Sequence, residues 1–251
     1  MNKYIFDIQF KTKRMEISGG KKIALVCGGT GLIGSHLIRY LVDHSAYAKV
    51  IHVGRGAPQL ESEHFLHVPV DFNHYGSYAP QLKGNDLFIC LGTTIAKAGS
   101  KEEFRKVDYT YSMNVAKAAL DNGVNQVLLV SSVGADANSW VFYNKVKGEL
   151  ERDLSSLKFW AVHIFQPSIL LGDRVENRPG EVVAKFIGKG LDAILGERLN
   201  KYRPIEAGVV AKAMVNAAQK LTPGIHIYPS HQIYHLAKDE GVTLVKKNSI
   251  H

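Results

Sequence analysis

The residues best suited to chemistry are Tyr143 and Lys147, in the run Tyr143-Asn144-Lys145-Val146-Lys147. Four positions apart on a helix, their side chains leave the same face. A nearby ammonium favours phenolate and draws a tyrosine, which ordinarily ionises near ~10, toward working pH. Such a tyrosine gives a proton to a carbonyl oxygen or takes one from an alcohol. Lys147 keeps donors for ribose hydroxyls. A packed tyrosine beside a surface lysine has the same spacing, so placement matters. The run follows an apolar strand, Gln126–Val130, closed by Ser131-Ser132. A serine hydroxyl there can polarise the same carbonyl.

Such a pair needs a hydride carrier, and Ile23 to Gly34 is built to hold one. Five strand-forming residues lead into a glycine turn, which opens a helix with Leu37, Ile38, Leu41 and Val42 on one side. Strand, glycine turn and helix in that order form a dinucleotide-binding unit. Gly28 lets the chain leave the strand sharply, Gly31 lets backbone approach a pyrophosphate, and Gly34 lets the helix pack closely. Thr30, Leu32 and Ile33 complete the turn and the helix N-terminus, where free N–H groups favour phosphate. The spacing is Gly-x-x-Gly-x-x-Gly, and a tight turn between a core strand and a helix would share it.

Other strand ends add cofactor candidates. NAD sites usually place an acid after the second strand, about 20 residues on. Here Gly54-Arg55 follows the strand Lys49–Val53. A guanidinium suits a 2′-phosphate, so the expectation is NADP (NADPH) over NAD, with a surface loop arginine as the competing reading. Asp71-Phe72 follows the third strand, Phe65–Val70. Asp71 is placed to accept from the adenine amino group and Phe72 to line the base pocket; a strand-end turn is the plainer alternative. After the fourth strand, Asp86–Leu91, the run Leu91-Gly92-Thr93-Thr94 would meet the central sugars through Gly92. Thr93 and Thr94 would bond phosphate or ribose, or cap a helix.

The chain has 251 residues, 45% hydrophobic and 22% charged, with net charge +8. This is ordinary for a soluble globular protein, and no apolar run approaches the roughly 20 residues of a membrane span. Basic residues are dispersed, with no nucleic-acid motif, so neither specific nucleic acid nor membrane is an expected partner. Residues 1–20 read as an N-terminal extension. Cys27 and Cys90 make no disulfide scaffold, which suits a reducing, cytoplasmic location. Eleven histidines show no metal-ligand spacing, and His64 and His67 fall on opposite strand faces. No metal is expected.

Strands and helices alternate: helices over Lys101–Asp121, Trp140–Leu154 and Ile205–Lys220, and further strands at Phe159–Phe165 and Gly224–Tyr228. This defines an α/β fold with a doubly wound, mostly parallel sheet, Rossmann-like, in one domain over 21–251. Asn177–Gly180 reads as a turn and Val182–Ile187 as the start of a helix. The part from 167 to 230 is expected to supply the substrate pocket. Trp140 and Phe142 either pack their helix on the sheet or line that pocket.

Gly28-Gly29-Thr30-Gly31-Leu32-Ile33-Gly34, Val130-Ser131-Ser132, and Tyr143 with Lys147 resemble the short-chain dehydrogenase/reductase superfamily over residues 22–172. Ser131 to Asp136, Tyr143 to Glu149, Gln166 to Arg174, and Arg178-Pro179-Gly180-Glu181 are similar to its atypical branch, the Tat-interacting-protein-like oxidoreductases. The resemblance implies an NADP-type Rossmann fold. It makes Tyr143 the proton donor or acceptor, Lys147 its activator, and Ser132 or Ser131 the carbonyl partner. It puts the backbone of Pro167, Ile169 and Leu170 near nicotinamide, and Arg178 near the cofactor or pocket mouth. The sequence departs from the superfamily pattern twice. The serine-to-tyrosine spacing is 11 or 12, slightly short, and Asp108 stands where many members carry a relay asparagine.

The expected function is an NADP-dependent oxidoreductase moving a hydride between nicotinamide and a small carbonyl or alcohol substrate, as monomer or homodimer. Two alternatives are an NADPH-binding regulatory protein that signals through a protein partner with little turnover, and a short-chain-type epimerase or dehydratase.

Overall fold

Ala24 to Cys27 carries no polar side chain, and all four residues are fully buried. A strand covered on both faces belongs inside a parallel sheet. In the computed structural model, which describes residues 21–172 and 203–239, that strand is β1 (Lys22–Cys27). The chain continues through α1 (Leu32–Val42), β2 (Tyr47–Gly54), β3 (Phe65–Pro69), the short α2 (Tyr75–Tyr78), β4 (Asp86–Ile89) and α3 (Ile95–Ala98). Next come α4 (Lys101–Arg105), a π-helical turn (Lys106–Tyr111), α5 (Ser112–Asp121), β5 (Gln126–Val130), α6 (Phe142–Ser155) and β6 (Ala161–Gln166). Two-residue strands β7 (Leu170–Leu171) and β8 (Ile205–Glu206) precede α7 (Ala207–Gln219), β9 (Gly224–Pro229) and α8 (Ser230–Lys238).

Seven strands form one sheet in the order β3-β2-β1-β4-β5-β6-β9, every pair parallel. Alternate side chains face opposite layers. Ala24, Val26, Phe88, Leu128 and Phe165 pack under α1, α7 and α8. Leu25, Cys27, Leu87, Ile89, Leu129 and Ile164 pack under α5 and α6. This is the doubly wound Rossmann-like architecture, in a single domain. β7 and β8 pair beside it as a separate small sheet. Among the described residues no helix is long and apolar enough to cross a membrane.

The differences from the sequence reading are local. Lys101–Asp121 is interrupted by the π-helical turn, which carries Asp108 and Tyr111 inward. The stretch after Pro229, assigned no element from sequence alone, forms α8 because Ile233, Leu236 and Ala237 share one buried face. Cys27 and Cys90 lie at adjacent strand ends but pack on opposite faces. Burial raises both thiols, that of Cys90 to about 12. Residues 1–20, the Asn177–Gly180 turn and Val182–Ile187 lie outside the described residues.

A belt of buried polar groups ties the amino ends of the strands together. Asp86 accepts from Lys22 Nζ at 3.1 Å, Tyr47 Oη at 2.6 Å and Gln126 Nε2 at 3.0 Å. Lys22 Nζ and Gln126 Nε2 also donate to the Ala218 carbonyl of α7 at 3.0 and 3.2 Å. Gln126 Oε1 is therefore left to accept from His163 Nε2 at 3.1 Å, and His163 Nδ1 to accept from Tyr228 Oη at 3.0 Å. Burial, with the His226 imidazole beside it, pushes His163 down to about 3. The unfolded histidine charges near 6.5, whereas the folded one stays neutral. The His163 contribution is therefore intact above about pH 6.5 and lost as pH falls toward 3. His163→Gln cannot charge. Urea unfolding at pH 7 and pH 5 should show the wild type losing about 2 kcal/mol more than this variant over that interval.

Candidate functional site

The glycine turn is shaped by backbone contact. Gly28 has φ +89°, and a Cβ on it would lie 2.4 Å from the Cys90 carbonyl oxygen. A Cβ on Gly34 would lie 2.2 Å from the Gly28 carbonyl oxygen. Between them Gly31 precedes α1, which has no side-chain cap and no acid in its first turn. Leu32, Ile33 and Gly34 thus offer helix N-terminal N–H groups that no side chain takes, which fits a pyrophosphate.

Beside the turn is a cleft of about 370 Å³ between Gly29, Thr30, Ser35 and Arg39 on one side and Ala57 to Leu60 on the other. Arg55 is exposed just beyond the end of β2. Arg39 escaped the sequence reading. Its signal was its place one helical turn beyond Ser35, from which its side chain leans toward the helix N-terminus.

Below the turn, His52 is 1% exposed, and its Nδ1 lies 3.0 Å from His67 Nδ1 across the β2–β3 pair. Burial and then His67 push His52 down to about 4. The sequence reading weighed His67 only against His64, whereas its structural partner lies on the neighbouring strand.

At the ends of β3 and β4, Asp71 and Thr94 take the turn and cap roles that their positions also allow. Asp71 Oδ1 accepts from the Asn73 backbone N–H at 2.9 Å and from Asn73 Nδ2 at 2.8 Å, and Oδ2 lies 2.9 Å from His74 Nδ1. It closes the turn it stands in. Phe72 is 5% exposed and stacks on Tyr111 at 5.4 Å. Thr94 caps α3, its hydroxyl accepting from the Lys97 N–H at 3.1 Å. The Thr93 N–H donates to Asp108 Oδ2 at 2.8 Å. Gly92 follows Leu91 past the end of β4; a Cβ there would meet Asp108 Oδ1 at 3.5 Å and Lys147 Nζ at 3.9 Å.

Tyr143 and Lys147 both lie on α6. Gly148 fixes that helix against the preceding loop, since a Cβ on it would come within 2.2 Å of the Ala137 nitrogen. The Tyr143 ring packs on the buried Phe104 at 5.4 Å. Lys147 Nζ sits 2.7 Å from Asp108 Oδ1, with the side chains 5% and 1% exposed. Burial alone would pull the lysine down; Asp108, then Tyr143 and Glu151, outweigh it and hold the ammonium above its ordinary value.

The two serines have different surroundings. Ser131 donates to Glu151, which also accepts from Gln166 Nε2 at 3.1 and 3.0 Å. Burial raises the Glu151 carboxyl, against Ser131, Gln166 and Lys147, which favour its charge. Ser132 Oγ is buried without a protein partner.

The Val133 N–H donates to the Pro167 carbonyl at 2.9 Å, holding the serine loop against the end of β6. Ile169 is exposed, and Leu170 pairs with Ile205. Trp140 is fully exposed and packs nothing, while Phe142 lies on Phe104. Arg178 lies outside the described residues. Among the described residues no three His, Cys, Asp or Glu side chains converge as metal ligands would.

An uncapped glycine turn, a tyrosine and lysine on one helix, and strand-end loops gathered above a doubly wound sheet define a nicotinamide-dinucleotide protein. A family model described as NAD(P)H-binding matches residues 28–159. The chain belongs to this NAD(P)H-binding family, within the atypical short-chain dehydrogenase/reductases. Among its relatives is the protein HTATIP2 of Rattus norvegicus, 35% identical over 226 residues that cover 87% of this chain and 90% of that protein. Another is the protein FMP52, mitochondrial, of Candida glabrata, 33% identical over 225 residues that cover 86% of this chain and 96% of that one. Among solved structures, a UDP-glucose 4-epimerase of Thermotoga maritima with UDP-glucose superposes with a TM-score of 0.63 at 18% identity, covering 86% and 81% of the two chains. The enzyme WbmG of Bordetella bronchiseptica in complex with NAD gives 0.62 at 15%, covering 86% and 74%. At these identities the likeness is one of fold.

Two substitution experiments follow from this geometry. Ser131→Ala leaves the buried Glu151 short of a donor and should cost about 1–2 kcal/mol in urea unfolding, while Ser132→Ala removes an unpaired hydroxyl and should cost nothing. Gly34→Ala, ordinarily stabilising in a helix, should instead destabilise by about 2–3 kcal/mol, because the methyl meets backbone that cannot move aside.

Proposed function

We propose that this protein is an NADP-dependent oxidoreductase acting on a small carbonyl or alcohol. The observation that carries the reading is the arrangement on and beside α6: Tyr143 one turn before a buried, charged Lys147, and an unpartnered Ser132 hydroxyl in the loop after β5, whose neighbour Ser131 bonds Glu151 of the same helix. Nicotinamide, when bound, supplies or accepts the hydride. Ser132 donates to the substrate oxygen. Tyr143 gives that oxygen its proton in reduction and takes it back in oxidation. Lys147, one turn from Tyr143 on the same helix, holds ribose hydroxyls. The N–H groups of Leu32, Ile33 and Gly34 bind the pyrophosphate, and Arg55 binds a 2′-phosphate, with Arg39 lining the neighbouring cleft.

The regulatory reading draws on a different observation. Lys147 is paired to a carboxylate, a state compatible with holding a cofactor without turnover. Cys27 and Cys90 are both free thiols, which suits a reducing compartment, so we keep the cytoplasmic reading, to be tested by fractionation against the mitochondrial location in the Candida glabrata relative's name.

Calorimetry should find NADPH bound more tightly than NADH, with Arg55→Glu removing at least tenfold of the NADPH affinity and sparing NADH. Tyr143→Phe should lower NADPH-dependent carbonyl reduction by about 10²-fold or more with cofactor affinity unchanged. Tighter NADH binding would remove the case for NADP. A wild type inactive on every carbonyl tried, yet binding a partner only when loaded with NADPH, would make it a regulator.

A further inference from the structure

Asp108 has a position and a set of contacts that no role assigned above explains. It lies on the π-helical turn, a form of helix common at functional sites, and the turn carries it into the interior. One oxygen is 2.7 Å from Lys147 Nζ, and the other accepts the Thr93 N–H at 2.8 Å. The carboxylate therefore touches both halves of the site: the helix with the tyrosine and lysine, and the loop after β4. Gly92 lies directly against the pair: a Cβ there would be in ordinary contact with Asp108 Oδ1 at 3.5 Å and Lys147 Nζ at 3.9 Å.

An ammonium this deeply buried loses its charge unless an anion compensates the lost hydration. The titratable groups facing Lys147 are Asp108 from the π-helical turn and Tyr143 and Glu151 from its own helix. Of these, only Asp108 is in ion-pair contact with it. Glu151 is itself raised by burial, toward the neutral form.

We propose that Asp108 is a positioning residue: its carboxylate keeps Lys147 charged and aimed while its second oxygen fastens the Gly92–Thr94 loop, so that the lysine and the cofactor loop form one unit. A neutral asparagine at this position could hold the loop and could not hold the charge. The proposal rests on the cofactor reading above and concerns one lysine within it.

NADPH fluorescence titrations between pH 6 and pH 10 test it without a substrate. Wild type should show no loss of affinity between pH 7 and pH 9. Asp108→Asn should lose roughly tenfold over that interval, as Lys147 gives up its proton. The double variant Asp108→Asn/Lys147→Arg should be as flat as wild type, because a guanidinium stays charged. A flat profile for Asp108→Asn alone overturns the proposal, as does a slope that survives in the double variant.

Lysine side-chain ¹⁵N NMR of the wild type decides the matter if Asp108→Asn does not fold or if wild type does not bind NADPH. The Lys147 signal, assigned by its absence in Lys147→Arg, should stay protonated to higher pH than the exposed lysines. Titration below them overturns the proposal. Failure of wild type to bind NADPH, with Lys147 still charged, removes the cofactor reading and leaves the pairing intact.

Discussion

The closeness of three backbone segments is the constraint on which the site depends. The end of β1, the end of β4 and the first turn of α1 meet so tightly that Gly28 and Gly34 have no room for a Cβ. This forces α1 down onto the sheet and points its N-terminus across the crevice between the strands. In an open α/β sheet that crevice, beyond the carboxyl ends of the strands, is where a ligand binds. Tyr143 and Lys147 on α6 and the loop after β4 stand near one another because Asp108 joins them.

A second constraint follows from burying charge there. Lys147 and Glu151 both point into the protein from α6, one turn apart. Each is provided for separately: Asp108 comes to the lysine on the π-helical turn, and Ser131 and Gln166 come to the glutamate. This explains why two adjacent serines have different surroundings. Ser131 is needed to satisfy a buried carboxylate, while Ser132 keeps its hydroxyl unengaged by protein.

The fold was legible because its signals are local and repeated. Apolar runs such as Ala24–Cys27 and Gln126–Val130 state both strand and burial, and Tyr143 and Lys147 announce their shared face by spacing alone. What the sequence hid depends on pairing across strands or on helix defects. Nothing in Lys106-Val107-Asp108 marks a widened turn, and His52 meets His67 only because β2 and β3 lie in register. Phe72 belongs with them: nothing in the sequence places Tyr111, from a distant helix, over its ring. Arg39 required the third dimension as well, since the loop it faces arrives from beyond β2.

The polar belt at the opposite edge bears on how the sheet is assembled. Its bonds join residues between 37 and 196 positions apart, from Lys22 in the first strand to Ala218 near the end of α7. None can form while the chain is being organised locally. A strand displaced by one residue would turn Asp86 or Gln126 to the other face and leave a buried charge or amide with nothing to bind. The belt thus discriminates between correct and slipped arrangements. Because α7 supplies the carbonyl that completes it, the cofactor half of the sheet reaches its final order only when the C-terminal third of the chain has docked.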